Sequence, residues 1–141
     1  MKSLLSIMVL EDCDEDFDTL QDAARLAKLP HSIVRTVSAE ACLRLLRDKK
    51  LKCEGLPTLL LMDLNTSVDD GREMLINIRQ DGALKTLPII VLSTSSNPVD
   101  LKYCYANGAN AYHVKPVNYT EHLQVLQQIF TYWLDSVTLY D

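Results

Sequence analysis

The feature that most constrains this chain is a regular alternation between short apolar runs and segments with helical periodicity. The apolar runs lie at residues 5–10, 33–37, 58–62, 89–92 and 111–114. Each is followed by a stretch whose apolar side chains recur three or four positions apart, at residues 14–26, 38–46, 71–81, 98–107 and 119–134. This alternation predicts an α/β fold, in which a parallel sheet carries helices on both faces and the crossovers are right-handed.

The size and composition of the chain favour one globular domain. The sequence has 141 residues, of which 48% are apolar and 23% are charged, an ordinary balance for a single folded unit. No apolar stretch approaches the roughly 20 residues that a membrane helix needs. The first ten residues are interpreted as a strand and not as a signal peptide. We therefore expect one domain over residues 1–141, with no effector domain and no membrane association.

Charge and cysteine usage exclude two further classes. The net charge is −5, and the most basic segment, residues 44–52, is interpreted as a solvated helix end, so nucleic-acid binding is not expected. The cysteines form no C-x-x-C pair, and no histidine lies at metal-ligand spacing from them. Free thiols indicate a reducing cytoplasm. The cysteines are Cys13, Cys42, Cys53 and Cys104, and those at positions 42 and 104 are predicted to pack in the core.

Polar side chains follow four of the predicted strands directly. The first strand ends in Glu11 and Asp12, the third in Asp63 with Asn65 two positions on, the fourth in Ser93 and the fifth in Lys115. In an open parallel sheet, the carboxyl ends of the strands meet at one edge, where ligands bind. We therefore expect these acids, the hydroxyl and the ammonium to converge there.

Such a group of side chains suits metal-assisted phosphoryl transfer. Crowded carboxylates favour a hard divalent cation, and Mg²⁺ prefers oxygen ligands. Asp12 and Asp63 would bind it directly with the Asn65 carbonyl, and Glu11 through water. One carboxylate can then attack phosphorus to form an aspartyl phosphate. Ser93 would donate a hydrogen bond to a phosphate oxygen, and Lys115 would supply positive charge.

Each of these residues also has a structural explanation. Glu11 and Asp12 are favourable at a helix start, Ser93 suits a loop, and a lone lysine such as Lys115 is most often a surface charge. Asp63 is harder to explain structurally, because an unpaired charge at the end of so apolar a run is costly. Their occurrence at four strand ends favours the site.

At these positions the sequence resembles the response-regulator receiver family, which includes the chemotaxis receiver. The likeness is carried by VLED at 9–12, LMDLN at 61–65, Asp70-Gly71, PIIVLST at 88–94 and GANAYHVKP at 108–116. It implies a doubly wound, flavodoxin-like five-stranded parallel sheet with strand order 2-1-3-4-5. It also implies a phosphorylatable two-component switch that uses Mg²⁺ or Mn²⁺ and is not a turnover enzyme.

The resemblance assigns roles to individual residues. Glu11 and Asp12 correspond to the acidic pocket, Asp63 to the phosphoacceptor and Lys115 to the family's lysine. Ser93 and Tyr112 correspond to the switch hydroxyl and the switch aromatic. Phosphorylation by a histidine kinase would draw Ser93 toward the phosphate, Tyr112 would rotate inward, and the altered face would signal to a downstream protein. The family also implies a cis peptide bond between Lys115 and Pro116.

Three further segments are similar to single-domain response regulators of bacterial and cyanobacterial phytochromes: TSSNPVD, CYANGANAY and YWL at 132–134. This likeness implies a phytochrome-type sensor kinase as partner and a homodimer. We expect the aromatic residues Phe130, Tyr132 and Trp133 to form its interface, or else the C-terminal turn to fold back on its own domain. The chain departs from the family at Ser67, where a proline is usual, and at Thr94, which is larger than the usual residue.

Two other functions are compatible with parts of the pattern. One is a Mg²⁺-dependent phosphohydrolase with Asp63 as nucleophile, but enzymes resembling haloacid dehalogenases have a second acid where this chain has Asn65. The other is a phosphate-independent interaction module with a receiver-like fold. Such modules usually lack part of the set of acids, hydroxyl and lysine, whereas this chain keeps the whole set.

Overall fold

The computed structural model describes residues 5–51 and 55–139 of the chain, with the side chain at position 51 excepted. Five strands form one sheet, and every neighbouring pair is parallel. The strands are β1 (Ser6–Leu10), β2 (Ser32–Thr36), β3 (Leu59–Asp63), β4 (Ile89–Ser93) and β5 (Ala111–Val114). Their order is β2-β1-β3-β4-β5, so the predicted α/β class and strand order are confirmed.

Five α-helices connect and follow the strands. They are α1 (Asp14–Leu26), α2 (Ala39–Leu51), α3 (Arg72–Gln80), α4 (Pro98–Ala106) and α5 (Tyr119–Thr131). The Asn97 side chain accepts a hydrogen bond from Val99 N at 2.9 Å and caps α4, and Pro98 fits its first turn. Gly108, just beyond α4, has φ +101°, a conformation that favours glycine. None of the helices in the described ranges combines the length and the apolar character needed to cross a bilayer.

The C-terminal helix differs from the prediction at its end. It was expected to run to about residue 134, but the α-helix ends at Thr131 and a π-helical turn, Tyr132–Ser136, follows. A hydrogen bond of 2.8 Å from Val137 N to Tyr132 O closes this wider turn. Apolar spacing does not distinguish the two helix types over a single turn, since their periods differ by a fraction of a residue.

Alternate residues of the central strands face two separate cores. On one face, Met8, Leu60 and Val91 pack with side chains of α2, α3 and α4. On the other, Val9, Leu61 and Ile90 pack with side chains of α1 and α5. Strands buried on both faces read as continuous apolar runs, which is why these segments were recognisable. Full burial of each such side chain is worth about 1.5–3 kcal/mol. The central strands are therefore rigid, and they fix the positions of the residues at their carboxyl ends.

Several local expectations can be compared with the structure. Cys42 and Cys104 are buried free thiols, as predicted; Cys53 lies outside the described residues. The expected cis bond between Lys115 and Pro116 is wrong, because the described residues contain no cis peptide bond. The small free-energy difference between X-Pro isomers, about 0.5–1 kcal/mol, is too weak for sequence to decide the isomer.

Candidate functional site

The carboxyl ends of β1 and β3 bring three acidic side chains together. Glu11 and Asp12 follow β1, and Asp63 is the last residue of β3. One carboxylate oxygen from each lies within 4.8 Å of the others. The strands leading to them are almost completely buried, so the positions of these acids are set by the sheet and not by mobile loops.

Lys115, just after β5, is buried among carboxylates. Its Nζ donates to Glu11 Oε1 at 2.6 Å, to Asp16 Oδ2 at 2.8 Å and to Asp63 Oδ2 at 3.3 Å. An ammonium has three N–H donors, so each donor has one carboxylate partner. The structure thus joins the ends of β1, β3 and β5, and adds Asp16 of α1.

Asp16 is a residue that the sequence analysis did not select. It belongs to the acidic first turn of α1, with Asp14 and Glu15, and acids there are ordinarily explained by the helix dipole. A local indication of its place is that α1 begins at Asp14, shortly after β1 ends at Leu10, so the first turn of the helix lies near the carboxyl end of that strand. Only the tertiary fold shows that Lys115, 99 residues away, is its partner.

Burial and charge act against each other at Glu11 and Lys115. Burial raises the pKa of Glu11 to about 6, although the charge of Lys115 and its hydrogen bond oppose the shift. Burial by itself would lower the pKa of Lys115, but the Glu11 charge and the hydrogen bonds that the ammonium donates to Asp16 and Glu11 raise it above its usual range. Lys115 is therefore a fixed positive charge at neutral pH.

The loop after β3 closes over Asp12. Ser67 N donates to Asp12 Oδ2 at 2.7 Å. Burial opposes ionisation of Asp12, yet the Ser67 hydrogen bonds prevail and lower its pKa. The same loop is tied to α2, because the Asp69 carboxylate accepts from Ala39 N at 2.8 Å and Glu40 N at 3.1 Å. The loop that carries Ser67, where the family usually has a proline, is therefore held by hydrogen bonds both to Asp12 and to α2.

Asn65 presents two kinds of oxygen, and only one of them faces a protein donor. Arg72 Nη1 donates to Asn65 Oδ1 at 3.3 Å, and Asn65 N donates to Asp63 Oδ1 at 3.2 Å. With the side-chain oxygen turned to Arg72, the backbone carbonyl is the oxygen that Asn65 would offer a cation. Coordination of a cation by the Asn65 carbonyl stays a prediction.

The donor set fits a hard divalent cation. Glu11, Asp12 and Asp63 supply carboxylate oxygens at one point, and the Asn65 carbonyl lies on the same loop. Mg²⁺ and Mn²⁺ prefer such oxygen ligands over nitrogen or sulfur. Three carboxylates beside one ammonium leave excess negative charge, which a divalent cation would neutralise. The acidic cluster therefore has the chemistry of a divalent-metal site.

The predicted switch residues, Ser93 and Tyr112, are both buried and both contact Ser95. Ser93, 1% exposed, accepts a hydrogen bond at Oγ from Ser95 N at 3.2 Å. Tyr112, 9% exposed, donates from its hydroxyl to Ser95 O at 2.8 Å. The resemblance predicted that Tyr112 rotates inward on phosphorylation. In this structure its ring already lies in the core.

A polar network links the loop after β3 to α4. Arg72, the first residue of α3, contacts Asp70 Oδ2 at 2.8 Å and also Asp100 of α4. Asp100 Oδ2 in turn accepts from Ser95 Oγ at 2.6 Å. The sequence does not indicate that Arg72, Ser95 and Asp100 interact, because polar side chains at ordinary spacings carry no signal of long-range pairing.

The C-terminal aromatic residues have three different environments. Phe130 is 1% exposed and packs in the core between α5 and the sheet, so its expected role at an exposed interface is wrong. Its position on the inward face of α5, with Leu126 and Ile129, is the reason. Trp133 is half-buried against the same core. Tyr132 is 56% exposed and lies edge-on to Trp133, with 5.4 Å between ring centroids.

Comparisons with known proteins agree with this architecture. The family described as "Response regulator receiver domain" matches residues 7–127. The response regulator Rcp1 of Synechocystis sp. is 31% identical over 134 residues, which cover 94% of this chain and 91% of Rcp1.

Two solved structures are similar over nearly the whole chain. The crystal structure of Mn²⁺-bound Rcp1 has a TM-score of 0.90 at 30% identity, covering 97% of this chain and 99% of that one. The phosphorylated cyanobacterial phytochrome response regulator RcpA has a TM-score of 0.91 at 32% identity, covering 99% and 100%.

Proposed function

The chain belongs to the response regulator receiver domain family, and we propose that it is a phosphorylatable switch whose acceptor is Asp63. Receiver domains are signalling switches and not turnover enzymes. The observation that carries the proposal is the meeting of three strand ends at one point. Lys115 Nζ lies 3.3 Å from Asp63 Oδ2, and two further carboxylates adjoin Asp63.

The transfer follows from the chemistry of these groups. An Asp63 oxygen attacks phosphorus, a new O–P bond forms, and the P–N bond of a phosphohistidine donor breaks, so that the imidazole leaves with the bonding electrons. Lys115 donates to the phosphoryl oxygens as charge develops on them, and Ser93 donates from its hydroxyl. Asp12, Asp63 and the Asn65 carbonyl would hold Mg²⁺ or Mn²⁺ directly and Glu11 through water, and the ion would supply further positive charge.

Ser93 and Tyr112 would connect the phosphate to the surface. Ser93 Oγ accepts from Ser95 N in the structure, and reorientation toward a phosphoryl oxygen would exchange that bond. Ser95 O is the acceptor of the Tyr112 hydroxyl, so movement of Ser95 is transmitted to the ring. Shifting a two-state equilibrium from 1:99 to 99:1 takes about 5.5 kcal/mol. Two or three hydrogen bonds to charged groups, at about 1.5–3 kcal/mol each, are sufficient.

Partners are proposed from similarity and from the surface. Because the chain resembles Rcp1 and the phytochrome response regulator RcpA, a phytochrome-type sensor histidine kinase is the proposed phosphodonor, with a downstream protein as target. A homodimer through Tyr132 and Trp133 is proposed from the exposure of the tyrosine.

The cysteines at positions 13, 42 and 104 are free thiols, which supports a cytoplasmic location.

Phosphotransfer to Asp63→Asn tests the proposal. With radiolabelled acetyl phosphate and Mg²⁺, the wild-type protein should acquire label, and the variant should remain at background because an amide is a poor nucleophile. Asp18→Asn, an exposed carboxylate on α1, is the control with the same change in charge and should label normally. Wild-type labelling of Asp63→Asn would contradict the assignment. Sustained hydrolysis of a generic phosphomonoester would instead favour the phosphohydrolase.

A further inference from the structure

We propose that Asp16 is a positioning residue for phosphoryl transfer, holding the Lys115 ammonium against α1 so that one N–H donor remains for Asp63 and its phosphoryl group. The inference rests on the proposed function. Neither the sequence motifs nor the acidic cluster that fits a metal includes Asp16. Its role is read from the contacts of the lysine.

The three contacts of Lys115 Nζ are unequal. Those to Glu11 and Asp16 are 2.6 and 2.8 Å, whereas that to Asp63 is 3.3 Å. Charge-assisted N–H···O bonds have ordinary lengths of about 2.7–2.9 Å. Two short bonds therefore fix the ammonium, and the third is long enough to be exchanged for a phosphoryl oxygen without moving the nitrogen.

The direction of the two short bonds matters as much as their length. Glu11 belongs to the floor of the site at the end of β1, and Asp16 approaches from α1. Asp16 is absent from the set of carboxylates that converge on one point. Asp16 therefore holds the ammonium from outside that cluster, and without it the bond to Glu11 would be the single short contact that restrains the lysine beside Asp63.

Two structural explanations of Asp16 are weaker than this one. Acids that serve only the helix dipole remain in solvent, as the exposed Glu15 does, whereas the Asp16 side chain is 29% exposed. Asp16 also faces His122 of α5, but Nδ1 is 3.9 Å from Oδ1, beyond hydrogen-bonding distance. Burial lowers the pKa of His122 although the Asp16 charge opposes the shift, and the cation that bonds Asp16 directly is Lys115, at 2.8 Å.

Loss of the Asp16 charge should have two effects on Lys115. The donor released from Asp16 is expected to turn toward Asp63, so that the lysine pairs more tightly with the nucleophile. The ammonium also becomes less ordered, because one of its two short bonds is weakened. Both effects slow attack on phosphorus, and the loss of one charge-assisted hydrogen bond corresponds to about a tenfold change in rate.

The experiment compares Asp16→Asn, Asp16→Glu and Asp18→Asn with the wild-type protein. The first readout is the rate of labelling by acetyl phosphate with Mg²⁺. The second is the ¹H–¹⁵N NMR signal of the Lys115 ammonium without phosphodonor, since hydrogen-bonded protons exchange slowly with water. Asp16→Asn should label about tenfold more slowly and lose the ammonium signal. Asp16→Glu should restore both, and Asp18→Asn, with the same charge as Asp16→Asn, should resemble the wild type.

Three outcomes would decide against the proposal or its premise. An unchanged rate and ammonium signal in Asp16→Asn would overturn it. Equal losses in Asp16→Glu and Asp16→Asn, with melting curves showing both folded, would also overturn it, because packing and not the carboxylate would then be required. A wild-type protein that takes up no label would refute the proposed function, and the ammonium signal alone would decide whether Asp16 holds Lys115.

Discussion

At the scale of single residues, the site is a concentration of like charge that costs stability. Glu11, Asp12 and Asp63 place carboxylate oxygens within 4.8 Å of one another. Lys115 compensates part of this charge and is shared with Asp16. Carboxylates this close repel, and removing one partner of a buried charged set leaves the others uncompensated. Such an arrangement is expected where function and not stability has set the residue types.

Asp12→Asn should destabilise the metal-free protein by about 1 kcal/mol in the free energy of unfolding, because, against the effect of burial, the Ser67 hydrogen bonds lower the pKa of Asp12 and so favour the ionised carboxylate in the folded state. An asparagine keeps an acceptor for Ser67 N but loses the charge that strengthens this bond. Saturating Mg²⁺ should widen the difference in stability, because a cation that binds only the folded state stabilises the wild type more. Thermal unfolding with and without Mg²⁺ measures both effects.

Asp18→Asn serves as the control, since it removes one negative charge from an exposed position on α1. Its unfolding temperature should respond to Mg²⁺ as that of the wild type does. If Mg²⁺ raised the unfolding temperature of Asp12→Asn by as much as that of the wild type, Asp12 would not be a metal ligand.

At the scale of elements, α4 is the helix most lightly attached to the sheet. Among its described residues Cys104 alone is fully buried, and Val99 and Tyr105 are exposed. Its N-terminal turn is held by polar contacts, since Asp100 accepts from Ser95 Oγ and pairs with Arg72. An element held by few apolar contacts is more readily displaced. The network from the loop after β3 thus ends on the helix that is easiest to move.

Substitution of Asp100 by Asn should loosen α4. An asparagine side chain accepts a weaker hydrogen bond from Ser95 Oγ and loses the ion pair with Arg72, so the backbone amides of α4 should exchange with deuterium a few-fold faster. Exchange in α1, which packs against α5 on the other face, should not change. Hydrogen exchange with mass spectrometry resolves the two helices.

Glu73→Gln is the matched control, because it removes one charge from an exposed position on α3. It should leave α4 protection as it is. Equal protection of α4 in Asp100→Asn and wild type would mean that apolar packing alone holds the helix.

At the scale of the whole molecule, one sheet separates two apolar cores, and one of these cores ends in partly exposed aromatic side chains. The core under α1 and α5 includes Phe130 and extends to the half-buried Trp133. Tyr132 projects from its end with 56% exposure. Aromatic residues of this kind are enriched in interfaces, because a large ring gains contact area at low entropic cost. The proposed dimer would use this end of the molecule.

Tyr132→Ser should shift the protein from dimer to monomer, halving the mass found by sedimentation equilibrium. The fold should remain, since the side chain lies outside both cores. Val68→Ser, at an exposed apolar residue in the loop after β3, is the control and should remain dimeric. If the wild-type protein were monomeric, or if Tyr132→Ser remained dimeric, the proposed dimer interface through Tyr132 and Trp133 would be wrong.

Much of the fold was predictable because its signals are local. Runs such as residues 58–62 and 89–92 are apolar throughout, as strands covered on both faces must be. The polar residues that follow them, Asp63 and Ser93, had to meet at one edge once the strands were parallel. The architecture and the group of acids at the strand ends therefore follow from the order of residues alone.

Which charged and polar side chains pair with one another is visible only in the folded chain, because no local sequence pattern indicates the partner of a charge. Asp16 looks like any acid in a first helical turn until Lys115 arrives from 99 residues away. Phe130 adjoins the exposed Thr131, and the packing of α5 on the sheet decides which of the last aromatic residues lies inside. Asp69 caps α2 across 30 residues of chain. Periodicity describes neighbours along the backbone, whereas hydrogen bonds and ion pairs depend on distances in space that only packing sets.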